Sequence, residues 1–109
     1  MSRLLLTTEY DPDYVIAAEW FARAAQQGIA DAQNNLGVIF ANGLAGPKDY
    51  GQAHLWFSLA ADQGHEEARA SRSRLSRRMS LGQIATADKL RLNWIADGGS
   101  QVVIPAAGE

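Results

Sequence analysis

The sequence holds no cysteine, which excludes disulfide frameworks, thiolate metal sites and cysteine nucleophiles. It also lacks a long hydrophobic run near its start. Leu4-Leu5-Leu6 is far shorter than a signal-peptide core or a membrane span, and no cleavage site follows it. The expectation is a cytoplasmic protein without membrane contact. A strong charge of one sign is missing as well: the formal net charge is −2 over 109 residues, and 47% of the residues are apolar, the profile of one soluble domain with a modest core. The charge is unevenly placed. Residues 1–68 carry 3 basic and 9 acidic side chains and residues 69–109 carry 7 basic and 3 acidic, so a positive end follows a negative body.

The signatures of catalysis are equally sparse. His54 and His65 lie eleven residues apart with no companion at metal-ligand spacing, and both are expected at the surface. Glu66-Glu67 opens a helix, where negative charge suits the macrodipole. The glycines of the 43–46 loop lack the preceding strand and the Gly-Lys-Ser/Thr ending of a phosphate loop. No catalytic residue, metal site or cofactor is assigned, and the chain is read as a non-enzyme.

What the sequence does contain is a repeat. Shifted along itself by 36 residues, it matches at 10 of the 20 positions 13–32: Asp13, Tyr14, Ala17, Trp20, Phe21, Ala24, Ala25, Gln27, Gly28 and Ala32 fall on Asp49, Tyr50, Ala53, Trp56, Phe57, Ala60, Ala61, Gln63, Gly64 and Ala68. Positions 17, 20, 21, 24 and 28 follow helical spacing, which predicts a helix over 12–27 and a copy after Asp49. Asp11-Pro12 supplies an N-cap with proline at the first helical position, Asp49 and Gln52 a capping box, and Gly28 and Gly64 left-handed ends. Second helices are expected at about 30–42 and 66–78, joined to the next unit by the Asn42–Lys48 loop. Ser80 and Gln83 form another capping box ahead of a helix over 81–96, stopped by Gly98-Gly99.

These residues resemble the Sel1-like repeat family, relatives of the tetratricopeptide repeats. The pattern Asp-Tyr-x-x-Ala-x-x-Trp-Phe-x-x-Ala-Ala-x-Gln-Gly followed by Ala-x-Ala-Gln-x-x-Leu-Gly is met by Asp13 through Gly37, and unit two meets its first half. Two departures stand out. The second loop glycine, Gly46, is displaced by one position, and the leucine and glycine of the second helix become Arg72 and Ser73 in unit two, as at the end of an array. The resemblance implies an all-α fold: a short α-solenoid of two antiparallel helix hairpins, with repeat 1 over about 12–47, repeat 2 over about 48–79 and a capping helix over 81–96. Residues 1–11 are expected to form a lid and residues 98–109 a flexible tail.

The resemblance further implies an adaptor or scaffold that binds a partner protein along the concave surface lined by the first helix of each hairpin. There the positions beside the core stripe are Glu19, Arg23 and Gln26 in unit one and Leu55, Leu59 and Asp62 in unit two. The two leucines are either covered by the terminal helix through Leu90 and Trp94 or exposed as part of the docking patch. Arg74, Arg77 and Arg78 share one side of their helix as a basic surface, either simply solvated or facing an acidic partner; a pI near 5.6 and the lack of interleaved aromatics argue against nucleic acid. A small regulatory subunit or inhibitor of one enzyme is the alternative function. Trp20 and Trp56 are both expected to be structural. With only Leu4, Leu5, Leu6 and Tyr10 available to cover the first helix, a homodimer through the N-terminal end is a further expectation.

Overall fold

The computed structural model describes residues 10–96, which form five helices and, among the described residues, no strand: α1 (Pro12–Gln26), α2 (Ala30–Asn42), α3 (Tyr50–Asp62), α4 (Glu66–Ser76) and α5 (Leu81–Ala96). The lid residues 1–9 and the tail 98–109 lie outside the described residues.

Local chemistry sets the ends of these helices. The Asp11 carboxylate accepts from the Asp13 amide ahead of α1, and Asp49 does the same for the Gln52 amide ahead of α3. The box before α5 closes in both directions: the Gln83 amide donates to Ser80 Oγ at 3.1 Å and the Ser80 amide to Gln83 Oε1 at 2.8 Å. Gly28 and Gly64 follow the ends of α1 and α3 with φ of +92° and +93°, the region that disfavours a Cβ. Helix α4 is shorter than its periodicity implies. It ends at Ser76 because the Arg78 and Met79 amides bond back three residues, to Leu75 and Ser76, as the chain tightens toward the Ser80 cap.

Pairs α1/α2 and α3/α4 are the two hairpins, and α3 is the hub: it packs on α2, α4 and α5. Nine consecutive residues, Ala53 to Ala61, are buried, as befits a helix covered on every side. Close approach of α2 and α3 depends on Gly37, where an added Cβ would stand 2.7 Å from the Phe57 ring. Its counterpart Ser73 is exposed.

A polar staple joins the hairpins at their turns. Gln33, 1% exposed, donates through Nε2 to the Ala25 carbonyl, while Gln63 Nε2 donates both to Gln33 Oε1 (2.9 Å) and to the Gly28 carbonyl (2.8 Å). Nearby, His65 Nδ1 accepts from the Ala68 amide and its Nε2 lies 2.9 Å from Asp31, so His65 caps α4 and ties it to α2.

Two sequence expectations require correction here. Trp20 and Trp56 occupy the same repeat position, yet Trp56 is 5% exposed and Trp20 63% exposed. Trp56 packs among Ala25, Leu36 and Trp94, whereas Trp20 has the Arg23 guanidinium over its ring, 5.2 Å from the centroid. His54, expected at the surface, is 4% exposed because α5 covers it.

Candidate docking surfaces

Helix α5 follows α3 in the same direction. Its first turns, at Gly82, Gln83 and Thr86, lie beside Gly51; farther along, Arg91 pairs with Asp62 at 2.9 Å and Trp94 meets Trp56 edge to face. The helix therefore covers the flank of α3 on which docking was expected. Leu55 and Leu59 are buried with Trp94 packed against their cluster, so of the two readings open for them the structure has the covered one. Asp62, the third expected contact on α3, is engaged by Arg91.

The unit-one residues fare differently. Glu19 and Arg23 are exposed and Gln26 is half-buried. Glu19 lines a largely apolar cleft of about 340 Å³ with Val15, Ala18 and Ala22 of α1, Ile39 and Phe40 of α2, and the loop Ala45-Gly46-Pro47. The six expected contacts thus form no single surface, since unit two closes on itself and, among the described residues, unit one stays open.

Helix starts also differ between the units. Relative to the 36-residue repeat, α3 begins at Tyr50 but α5 begins at Leu81, the counterpart of Ala45. The additional first turn of α5 lies where unit one has the non-helical Gly43–Asp49 stretch, in which Gly46 and Pro47 punctuate the chain. On α3 the counterparts of Ala18, Glu19 and Ala22 are His54, Leu55 and Ser58, all buried; on α1 the same positions line the cleft.

The α3/α5 seam holds a small polar cluster. Ser58 Oγ sits 3.4 Å from His54 Nδ1, and Arg72 of α4 reaches the same hydroxyl at 3.4 Å. Burial holds the His54 imidazole below its usual range; the Asp88 carboxylate opposes this, and Arg72 and Arg91 reinforce it. No group of three His, Asp or Glu side chains among the described residues converges to hold a metal ion, and no helix among them is long and apolar enough to cross a membrane.

Arg74, Arg77 and Arg78 are all exposed. Arg74 and Arg78 line a second groove, about 380 Å³, between α2 and α4, while Arg77 does not. Sequence reasoning missed the unit-one cleft, although a signal was present: the N-caps Asp49 and Ser80 are 31 positions apart where the repeat is 36, so the last helix starts early.

The comparisons with known proteins agree with this architecture. The family profile described as Sel1 repeat matches residues 8–29 and 30–65, just over half of the chain. The second match spans 36 residues, the period of the internal repeat, but is framed to open at α2 and close after α3. A chitin synthase regulator, SKT5 of the fungus Malassezia restricta, is 37% identical over 57 residues, which take in 52% of this chain and 4% of that protein. The chain therefore spans only a small fraction of this relative's length. With two hairpins, their shared tryptophan register and the profile match in agreement, the chain belongs to the Sel1 repeat family.

Proposed function

We propose that the chain is a protein-interaction module, an adaptor that takes a partner segment in the cleft between α1, α2 and the Gly43–Asp49 loop. The observation that carries this reading is the asymmetry between the units: α5 fills the flank of α3, and the equivalent flank of α1 is open, apolar and rimmed by Glu19. Arg23 and Gln26 extend the same helix beyond the cleft and supply polar contacts. A partner that presents an apolar side chain would make the burial that Trp94 of α5 makes in unit two.

Regulation of one enzyme is the second reading, favoured by the fungal relative, which is named as a regulator. On either reading the chain acts by binding rather than by chemistry of its own. A second copy of the chain, docking on Ile16 and Trp20 of the outer α1 face, is the proposed route to a homodimer, and a monomeric mass at high concentration would exclude it.

The cleft is tested by capturing partners with wild type, Glu19→Lys and Ala18→Leu, after circular dichroism has established that each is folded. Loss of a specific partner in both variants is expected. Undiminished capture by both would remove the cleft from the account.

A further inference from the structure

The groove between α2 and α4 belongs to the opposite hairpin flank, and neither the cleft nor α5 accounts for it. Both helices pack on α3 but hardly touch each other, which leaves a trough floored by Val38, Phe57 and Leu75. Along one wall stand Glu67, Ser71 and Arg74 of α4, at the i, i+4, i+7 spacing of one helix face, with Arg78 in the turn that follows. Ser71 Oγ accepts from Arg74 at 3.2 Å, which steadies that guanidinium on the wall. Neither Arg74 nor Arg78 forms an ion pair among the described residues, although the nearby Arg69 pairs with Glu66 and Arg91 with Asp62.

The helix dipole makes cations favourable near the end of α4, and that alone would explain an arginine there. It does not explain why two unpaired cations stand on one side of a trough with an apolar floor and polar walls, with the one carboxylate of its lining, Glu67, about 10 Å from Arg74 by helix rise. An extended peptide covers that span in about three residues.

We infer that this groove is a second docking surface, which takes a short peptide with an apolar anchor and an acidic residue on the Arg74/Arg78 side. The reading rests on the protein-binding function proposed above but uses different residues, so that two partners can be held at once. Arg74 and Arg78 are suited to carboxylates because guanidinium groups offer paired donors in a fixed fork. The Glu67 end disfavours a second acid and sets the direction in which the peptide lies.

A peptide array tests this. Its members carry one Leu, Ile or Phe anchor placed two residues from an acidic, a basic or a serine pair, and they are probed with the full chain. Wild type is expected to prefer the acidic set over the basic set by tenfold or more. Arg74→Glu/Arg78→Glu is expected to reverse that order and Arg77→Glu to leave it unchanged; Arg74→Gln/Arg78→Gln, a milder pair, is expected to abolish the preference should the charge reversal fail to fold. Absence of an acidic preference in wild type, its survival in the folded double variants, or equal loss with Arg77→Glu would overturn the inference. Ala18→Leu, which fills the cleft, is expected to bind the array as wild type does, so failure of the cleft reading and failure of this one remain separate.

Discussion

Trp56 of α3 and Trp94 of α5 meet edge to face, with ring centroids 5.9 Å apart and planes at 77°. This contact joins the terminal helix to the second repeat and seals Leu55 and Leu59 beneath it. Edge-to-face pairs add to what area burial alone supplies. Truncating Trp56 to alanine is expected to lower stability by about 3–5 kcal/mol, much of the whole for a domain this small. Trp20→Ala, at the same repeat position but exposed, is expected to cost less than about 1 kcal/mol. Urea melts of the two variants check the difference, and equal losses would mean that Trp20 is covered as Trp56 is.

The glutamine staple offers a second check. Gln63→Ala leaves Gln33 Oε1, in a side chain that is 1% exposed, without its donor, and a buried polar atom stripped of its partner costs about 1–3 kcal/mol. Gln27, the counterpart of Gln63 in unit one, is exposed, and Gln27→Ala is expected to be near neutral. Thermal melts followed at 222 nm distinguish the two.

Gly37 tests the packing of α2 on α3. Gly37→Ala sets a methyl group 2.7 Å from the Phe57 ring, and overpacking of this kind costs about 1–3 kcal/mol. Adding Phe57→Leu is expected to recover part of the loss in a double-mutant cycle, whereas strictly additive effects would place the strain elsewhere.

The buried imidazole gives the fold a pH dependence. His54 has a folded-state pKa below the value of about 6.5 for an unfolded chain, so the native protein binds fewer protons than the unfolded one between those two values. Its contribution is complete above pH 6.5, is lost as pH falls from there to the folded pKa, and changes no further below it. Denaturant melts between pH 8 and pH 5 are expected to show falling stability across that window, with a shallower fall in His54→Gln.

Much of this fold was legible in the sequence, because repeats write themselves twice. The 36-residue register, the caps at Asp11, Asp49 and Ser80, and the glycines at 28 and 64 locate all five helices to within two residues, since each is fixed by chemistry a few positions away. Burial was harder to read. Trp20 and Trp56 share the repeat register but differ in their neighbours, Glu19 and Arg23 against Leu55 and Leu59, and in what lies across the next interface, which periodicity does not encode. The same holds for His54, polar by type but buried beside a helix that begins 27 residues on. Leu55 and Leu59 left two readings open, core or docking patch, and the structure places them in the core. The open cleft is walled by the non-helical Ala45-Gly46-Pro47, and its one trace in the sequence is the shortened spacing between the caps Asp49 and Ser80.

The measurement that bears most directly on the account is the unfolding of Leu55→Glu/Leu59→Glu, followed by circular dichroism. Two carboxylates placed beneath Trp94 have no partner to offset their burial, so loss of the cooperative transition is expected. A double variant that kept the native helicity and melting temperature while losing its protein partner would contradict the account and return the docking surface to α3.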